Sequence, residues 1–486
     1  MASCFSLCLV ATATSHANWP QFRGPNSSGI AAGPSPPIQF GPGKNELWSV
    51  SLEAGHSSPC VVGDAIFLTT YNKQKKSLAV ICIDRASGST RWQRDVAVEQ
   101  MEKGHPSFNP ASSSPACDGE RVVAYFGSYG LICFDITGEK LWDVKMPLTK
   151  SFGGNATSPI IAGDSVILYR GNYVDHFVLA VDKRTGKERW KIPQTEKFTG
   201  EMGCTSCPIV SGDNVIIHSA RSVQAFEIST GRQIWMTKCA TTATSTPVLA
   251  GKEVVIAAWN KMGEPALKPP FPKFDQLVAE HDDDDDQLIS RREFPKLWIF
   301  HRPEGVEAPM NGGTIRFQQS DHNKDGKVSA DEWQKTIKGV ETFRSQYETH
   351  GIIAVRTDSQ GLVESSQMRT LETQSVPEVP SPLVCDGYLY VVKNGGVLTC
   401  LEVKTGIRTA RMRTGGKGTH YASPVAAGGR LFCTAGNGTI TVLSPGPKPT
   451  IIAVNEMQEE TYATPAIVDG VLYLRTHSKL FAFGNQ

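Results

Sequence analysis

Residues 182–190 read DKRTGKERW, in which an acidic residue is followed at fixed spacing by a Thr-Gly pair and a tryptophan. Variants of the same pattern end at Trp92, Trp142 and Trp235. Residues 402–410 keep the Thr-Gly pair but end in alanine. Because glycine adopts positive φ at little cost, each Thr-Gly pair predicts a tight turn between two strands. We expect the tryptophan on an outer strand, packed against a neighbouring unit.

A second signal marks the beginning of each unit: a hydroxyl residue before proline, with a glycine five or six residues after the hydroxyl. The pairs begin at Ser58, Ser114, Ser158, Cys207, Thr246, Ser381, Ser423 and Thr464, where cysteine replaces the hydroxyl residue once. Units of roughly 40–50 residues hold four short strands each, which is the size of one propeller blade. The sequence therefore predicts an all-β, eight-bladed β-propeller, with seven blades as the alternative.

The ring is expected to close through the N-terminal part of the chain. The last unit ends near Phe483 without a Thr-Gly-Trp strand after it. Residues 46–52 (ELWSVSL) contain Trp48 and can supply the missing outer strand. Pairing this strand into the last blade would remove an exposed sheet edge.

The Asp-x-x-Thr-Gly-x-x-x-Trp repeat resembles the PQQ-like (pyrrolo-quinoline quinone) repeat of bacterial eight-bladed propellers. The resemblance covers residues 44–484 apart from one insertion, and residues 18–25 (NWPQFRGP) resemble the beginning of many exported members. That family includes quinoprotein alcohol dehydrogenases and a scaffold lipoprotein of outer-membrane protein assembly, which is not an enzyme. The resemblance implies the fold and leaves both kinds of function open.

Composition and the N-terminus limit the compartment and the partners. The net charge of +1 provides no strong field for nucleic acid or an anionic membrane. No apolar run reaches the length of about 18 residues that a transmembrane helix needs. Residues 1–17 combine a short apolar stretch with Ser15-His16-Ala17, which predicts a signal peptide and export to the periplasm or cell envelope. Because no Lys or Arg precedes that stretch, a disordered cytosolic N-terminus is the alternative.

An insertion divides the fifth blade. We expect an N-terminal arm over residues 18–43, propeller over residues 44–259 and 351–486, and two helix–loop–helix patterns over residues 260–350. Residues 260–350 leave and re-enter one hairpin, which a loop tip tolerates because the strand pairing beneath it is untouched.

The second loop of the insertion, residues 321–332, satisfies every position of the EF-hand calcium pattern. The predicted ligands are the side chains of Asp321, Asn323, Asp325 and Glu332 and the backbone carbonyl of Lys327. Ser329 is expected to act through water and, with Glu332, to cap a helix from Ala330 to Val340. Gly326 permits the sharp turn between the ligands.

The first loop, residues 282–293, matches the same pattern with two departures. Its predicted ligands are the side chains of Asp282, Asp284, Asp286 and Glu293 and the carbonyl of Leu288. Gln287 replaces the turn glycine, at a cost of roughly 1 kcal/mol for positive φ. Pro295 is expected to kink or shorten the helix that follows. The five consecutive aspartates favour a bound cation, and a solvated charge run is the alternative.

The two loops are expected to work as a pair. Ile289 and Val328 occupy the apolar eighth position of their loops, where paired calcium loops exchange a short β contact. A calcium-filled pair in an exported protein favours a structural role for the metal over a signalling role.

No residues assemble into a catalytic site. The twelve cysteines include no adjacent pair and no Cys-x-x-Cys-His haem motif, and no hydrolase motif occurs. Cys204 and Cys207 form the one Cys-x-x-Cys, but Cys207 stands at a repeated serine position, so we interpret it as structural. His56, His105 and His420 lie before or between repeats and are expected near the mouth of the channel.

These observations predict an exported, monomeric, calcium-binding propeller that acts as a non-catalytic binding or scaffold module. Its partner would be a protein or carbohydrate that the sequence does not identify. The alternative is a PQQ-dependent quinoprotein-type oxidoreductase, but the missing cysteine pair argues against PQQ as a cofactor.

Overall fold

The computed structural model describes residues 18–196, 205–239, 241–260, 263, 267–301, 312–345 and 349–485, and the structural statements below concern these residues. The expected signal peptide, residues 1–17, lies outside them. The described chain forms eight antiparallel blades of four strands each, and two of these blades carry one added strand. The predicted all-β, eight-bladed propeller is therefore confirmed.

The first four blades are continuous in sequence and follow an N-terminal arm. The arm contains β1 (Ile30–Ala31) and leads into β2 (Glu46–Ser51). Blade one contains β3 (Cys60–Val62), β4 (Ala65–Asn72), β5 (Ser77–Asp84) and β6 (Thr90–Val96). Blade two contains β7 (Ala116–Cys117), β8 (Arg121–Phe126), β9 (Gly130–Asp135) and β10 (Lys140–Lys145). Blade three contains β11 (Ile160–Ala162), β12 (Ser165–Arg170), β13 (Phe177–Asp182) and β14 (Glu188–Pro193). Blade four contains β15 (Ile209–Ser211), β16 (Asn214–His218), β17 (Ser222–Glu227) and β18 (Gln233–Lys238).

The fifth blade is interrupted after its second strand. It begins with β19 (Val248–Ala250) and β20 (Glu253–Ala258). The insertion then forms α1 (Phe274–His281), β21 (Ile289–Ser290), β22 (Trp298–His301), β23 (Gly312–Thr314), α2 (Phe317–Ser320), β24 (Lys327–Val328) and α3 (Ala330–Ser345). The blade resumes with β25 (Gly351–Arg356), continues through β26 (Gly361–Leu362) and ends with β27 (Arg369–Glu372). Strand β26 pairs in parallel with β18 and so becomes a fifth strand of blade four.

The last three blades follow without interruption. Blade six contains β28 (Leu383–Cys385), β29 (Tyr388–Lys393), β30 (Val397–Glu402) and β31 (Arg408–Arg413). Blade seven contains β32 (Val425–Ala427), β33 (Arg430–Thr434), β34 (Thr439–Ser444) and β35 (Thr450–Glu456). Blade eight contains β36 (Ala466–Val468), β37 (Val471–Arg475) and β38 (Lys479–Phe483). Strand β2 completes blade eight by pairing with β38, as the position of Trp48 predicted.

The core lies in the layers between adjacent blades. The second and third strands of a blade are apolar on both faces because each face packs against a neighbouring blade. Between blades two and three, for example, Val123 and Tyr125 pack in one buried cluster with Leu168 and Leu179. Outer strands such as β14 alternate between exposed and buried positions, since one face meets solvent.

Tryptophans on the outer strands join successive blades, as expected. The indole Nε1 of Trp142 donates a hydrogen bond to the carbonyl of Lys183 in the next blade, at 2.9 Å. The ring of Trp142 also covers Gly186, where an added Cβ would lie 2.8 Å from two of its carbons. The same donation to the following blade is made by Trp48, Trp92, Trp190 and Trp235.

The eight Ser/Thr-Pro positions form a closed belt of hydrogen bonds around the propeller axis. In each blade the backbone N–H of the belt residue donates to the side chain of the belt residue in the next blade. The members in order are Ser58, Ser114, Ser158, Cys207, Thr246, Ser381, Ser423 and Thr464, and Thr464 donates back to Ser58. Cys207 takes part through its sulfur, which accepts from Ser158 at 3.3 Å. The repeated signal is therefore a contact between blades.

The N-terminal arm is in contact with six of the eight blades. Trp19 bridges to Val61 in blade one, and the Asn26 amide exchanges two hydrogen bonds with Val210 in blade four. Arg23 reaches the Pro382 carbonyl in blade six, and β1 pairs in parallel with β32 in blade seven. The arm also accepts a hydrogen bond from blade two, and its Phe40 ring packs against Phe483 in blade eight.

The insertion differs from two complete helix–loop–helix units. Helix α1 precedes the first loop, but no helix follows that loop within residues 282–301; the chain turns and enters β22 instead. Pro295 explains this, because proline cannot continue a helix and disfavours helical backbone in the residue before it. The second loop is preceded by a single turn, α2, and followed by the long α3. None of the described helices is long and apolar enough to cross a membrane.

Candidate functional site

The second loop is arranged around the carboxylates of Asp321 and Glu332. The Asp321 carboxylate accepts hydrogen bonds from the backbone N–H groups of Asp325 and Gly326, at 3.2 and 3.1 Å. One oxygen of Glu332 accepts from two N–H groups at the beginning of the loop, and the other accepts from Ser329. Partial burial acts to raise the pKa of Glu332, but these N–H donors hold it below its ordinary value. The loop's own N–H groups thus hold both carboxylates in fixed orientations.

The first loop repeats most of this hydrogen-bond pattern at the same positions. The Asp282 carboxylate accepts from the N–H groups of Asp286 and Gln287, at 3.2 and 2.9 Å. One oxygen of Glu293 accepts from the Asp283 N–H, and the other accepts from the Ser290 N–H. Two sequences that differ at most positions therefore hold their first and last carboxylates in the same way.

Backbone conformation agrees between the loops as well. At the fourth position Asp285 and Lys324 have φ of 57° and 63°, and at the sixth Gln287 and Gly326 have φ of 64° and 88°. Gln287 thus adopts the left-handed conformation that glycine adopts in the other loop, at a cost of about 1 kcal/mol. The replacement of glycine has not changed the course of the loop.

The loops contact each other through their eighth positions. Ile289 pairs with Val328 in the two-stranded sheet of β21 and β24, and both side chains are buried. They join Leu277, Ile315 and Trp333 in a small core that the insertion forms for itself. The two loops are therefore held side by side.

The carboxylates of Asp282, Asp284 and Glu293 converge in the first loop. Ligand oxygens of all three lie within 4.8 Å of one another, close enough to share one cation. The ammonium of Lys327 reaches across from the second loop to the Asp286 carboxylate and lies 3.6 Å from Asp284. Sequence reasoning assigned only the carbonyl of Lys327. The Lys327 side chain reaches the first loop because Lys327 pairs with Ser290 beside the paired eighth positions.

A cavity lies on the propeller axis, inside the ring of blades. This axial cavity has a volume of about 280 Å³. Among its aromatic lining residues, His56 and Tyr421 each contact Tyr462, and His105 contacts Phe152; Phe22 and Phe108 also line the cavity. Its polar lining includes Thr205, Thr242, Thr244, Glu378, Asn394 and the belt residues Cys207, Ser381 and Ser423.

Two of the three histidines singled out in the sequence belong to the lining of this cavity. His56 and His105 line it, whereas His420 is buried beside the loop at Gly418. Burial, with the charges of Arg475 and His477, lowers the pKa of His56 to about 3, so its ring is neutral at physiological pH. Sequence reasoning placed these histidines near the channel mouth but could not combine them, because they precede different blades.

The described cysteines do not form a redox or metal centre. All nine are free thiols, and eight are buried, where burial raises the thiol pKa. Cys204 lies outside the described residues, so the Cys-x-x-Cys motif is represented by Cys207 alone. The position of Cys207 in the belt agrees with the structural interpretation of this residue.

The axial cavity does not present the groups that PQQ would need. PQQ has three carboxylates on a fused ring system and would call for several cationic or metal-bound partners. None of the described residues lining the cavity is Lys or Arg, and Glu378 is the one carboxylate among them. The described lining therefore does not fit PQQ with a companion metal ion.

Comparison with known proteins supports the fold. Residues 40–270 match a family model, PQQ_2, described as outer membrane protein assembly factor BamB. No curated protein sequence matches the chain. Among solved structures, BamB from Moraxella catarrhalis superposes with a TM-score of 0.53 at 12% identity, over 91% of this chain and 97% of that one.

Dehydrogenases superpose equally well. A europium-containing methanol dehydrogenase gives a TM-score of 0.58 at 12% identity, covering 96% of this chain and 98% of that one. Quinohemoprotein alcohol dehydrogenase from Comamonas testosteroni gives 0.56 at 12% identity, covering 97% and 81%. The chain is thus similar in fold to PQQ-like eight-bladed propellers, a group that includes both an assembly factor and alcohol dehydrogenases.

Proposed function

We propose that this chain is an exported calcium-binding propeller that acts as a non-catalytic binding or scaffold module. Calcium is held by the paired loops of the insertion, and a protein or carbohydrate partner binds to the propeller. The observation that carries the metal assignment is the shared hydrogen-bond pattern of the two loops, which orients the first and last carboxylate of each.

The oxygen-rich ligand set favours calcium. The second loop offers side-chain oxygens of Asp321, Asn323, Asp325 and Glu332 and the Lys327 carbonyl, and the first offers those of Asp282, Asp284, Asp286 and Glu293 and the Leu288 carbonyl. Calcium takes six to eight oxygen ligands in flexible geometry, which suits loops of this kind. A cation would also relieve the repulsion among the five consecutive aspartates of the first loop.

Calcium in this position has a structural role. The loops, the β21–β24 pair and helices α1 and α3 share one small core, which is built from few buried side chains. Ion binding to the folded loops adds stability that depends on calcium concentration. Extracellular calcium modules typically bind at about 10⁻⁴–10⁻³ M, so the loops of an exported protein would remain filled.

Calorimetric titration of the chelator-treated, full-length protein with calcium chloride tests this proposal. We expect two sites in the wild type. Asp284→Ala with Glu293→Ala should remove one site, and Asp321→Ala with Glu332→Ala the other. The matched control is Asp283→Ala with Asp331→Ala, which removes two exposed carboxylates from non-ligand positions and should keep both sites. Wild-type protein that takes up no calcium, or ligand variants that bind like the control, would overturn the assignment.

The non-catalytic part of the proposal has a separate test. Purified protein is incubated with PQQ and calcium and then dialysed. We expect no quinone absorbance to remain, because the described cavity lining lacks partners for the three carboxylates. A retained quinone spectrum, with dye reduction on adding an alcohol, would establish the oxidoreductase alternative instead.

A further inference from the structure

Strand β35 of blade seven is an open sheet edge. It is the last strand of its sheet, and no strand of the described chain pairs with its outer side. Such an edge presents a row of backbone N–H and C=O groups that another strand can satisfy. Blade four shows this within the same chain, because β26 adds to the outer strand β18 by parallel pairing. The outer edge of a blade in this propeller therefore accepts an added strand.

The sequence of β35 lacks the charges that protect other edges. Residues 450–454 read TIIAV, and the one charged residue of the strand, Glu456, stands at its end. Five other outer strands carry at least two charged residues each, which discourages pairing: β6, β10, β14, β27 and β31. Strand β18 is already covered by β26, and β2 carries Glu46 and two serines. Of the eight outer strands, β35 is thus the one most open to another strand.

The same strand exposes an apolar surface. Ile451, Ile452 and Val454 are between 37% and 47% exposed, and no other outer strand in the described residues exposes more than one large apolar side chain. Ile38 of the N-terminal arm, also exposed, lies beside the end of the strand, because the Asn455 amide donates to its carbonyl at 3.0 Å. A grouped apolar surface of this kind marks a site of association.

A bulge in β35 places its apolar side chains on one face. Ile451 pairs with Leu443 and Val454 pairs with Thr441, and these two partners are two residues apart on β34. Because side chains alternate along a strand, Ile451 and Val454 lie on the same face of the blade. Thr450 and Asn455 share the other face, since their partners on β34 are four residues apart.

This arrangement makes the edge complementary to itself. In an antiparallel pair of two β35 strands about a twofold axis, Ile451 of each copy can lie opposite Val454 of the other. Thr450 of each copy then lies opposite Asn455 of the other. Apolar residues meet apolar residues, polar residues meet polar residues, and no like charges are brought together along residues 450–455.

We propose that the outer edge of blade seven binds the same edge of a second copy of this chain, which joins two propellers into a symmetric dimer. A second copy is favoured over a foreign strand because its edge supplies both the unpaired backbone groups and the matching side chains. The contact uses the same surface on both copies, so assembly stops at two. The sequence predicted a monomer, and this inference replaces that expectation without depending on calcium binding.

The dimer is expected to be weak. One strand and its few exposed side chains bury less than the roughly 1,600 Å² of a standard protein interface. Dilution should therefore dissociate the two copies.

Sedimentation equilibrium of the full-length protein in EDTA tests the proposal between about 1 µM and about 1 mM, where weak interfaces dissociate. We expect the wild type to change from monomer to dimer over this range. Val454→Lys should raise the dissociation constant at least tenfold, because its ammonium would face Ile451 of the other copy. The matched control is Leu141→Lys, which makes a similar change at an exposed leucine on the charged strand β10 and should dimerise like the wild type.

Three results would overturn the inference: a wild type that remains monomeric at every concentration, a dissociation constant that Val454→Lys leaves unchanged, or an equal loss in Leu141→Lys. A monomeric wild type would leave the edge to a strand of another protein. If Val454→Lys does not fold, Ile451→Thr replaces it. This variant keeps a β-branched side chain and should dimerise several-fold more weakly, and an unchanged dissociation constant counts against the proposal.

Discussion

Replacing Gly186 with alanine tests whether the tryptophan contact between blades stabilises the ring. Gly186 has φ of 69°, and its added Cβ would lie 2.8 Å from the Trp142 ring. Gly163 in the same blade has φ of 57° and no atom within 4 Å of the added Cβ. Both variants therefore carry the backbone strain of alanine at positive φ, about 1 kcal/mol, but only Gly186→Ala displaces the indole.

The difference in melting temperature between the two variants isolates the contribution of the contact between Trp142 and Gly186. Overpacking a filled site costs about 1–3 kcal/mol, and movement of the ring also weakens its hydrogen bond to Lys183. Unfolding entropy of about 2.1 cal/mol/K per residue gives this chain of 486 residues about 1 kcal/mol/K. We therefore expect Gly186→Ala to melt about 1–3 °C below Gly163→Ala.

Differential scanning calorimetry of both variants beside the wild type measures this difference. Equal midpoints for Gly186→Ala and Gly163→Ala would refute the reasoning, because the strain would then account for the whole effect and the tryptophan would contribute nothing. Fluorescence provides a second readout, since displacement of the Trp142 indole should shift emission in Gly186→Ala alone.

Four further predictions each concern a single side chain. Lys327→Gln removes the ammonium from the first loop, so calorimetry should show several-fold tighter calcium binding there. Cys207→Ser keeps an acceptor in the belt and should unfold at the wild-type urea midpoint, whereas Cys207→Val leaves the Ser158 N–H unpaired and should cost about 1–3 kcal/mol. Trp48→Phe should lose about 1 kcal/mol with its hydrogen bond to blade one, and Trp48→Ala about 3 kcal/mol, both by urea unfolding. Burial lowers the pKa of His218 from 6.5 to about 4. Because the unfolded chain takes up this proton at a higher pH than the folded chain, the free energy of unfolding decreases as pH falls from 6.5 to about 4. His218→Gln should reduce the slope of the free energy of unfolding against pH in this range by up to about 1.4 kcal/mol per pH unit.

Features that are local in sequence could be predicted. The turn glycines, the prolines and the tryptophans each repeat within a single unit, so the blade count and the interruption of blade five follow from spacing. The closing strand around Trp48 was recognisable because it carries the outer-strand signature without a blade of its own. The pairing of Ile289 with Val328 likewise depends on a fixed position within each loop.

Features that depend on distant partners could not be predicted. The Ser/Thr-Pro signal was visible in the sequence. The belt could not be predicted from it, because each hydrogen bond joins two blades and the sequence of one repeat does not identify the acceptor in the next. Lys327 was assigned through its carbonyl, and its side chain reaches the other loop only because the strands pair. The shortening of α2 to a single turn was not predicted, whereas the absence of a helix after the first loop follows locally from Pro295. Arg23 lies in an arm whose course around the blades leaves no periodic signal.

The belt has a consequence for how the number of blades can change. Each blade brings one donor, its backbone N–H, and one acceptor, its side chain, and all eight bonds run in the same direction around the axis. A ring of hydrogen bonds of this kind can close with any number of blades, so duplication or loss of a whole blade leaves every N–H donor and every side-chain acceptor of the belt paired. By contrast, a substitution that removes one acceptor side chain leaves one buried N–H without a hydrogen-bond partner. The hydrogen bonding of the belt therefore does not depend on the number of blades, but it requires an acceptor side chain at every belt position.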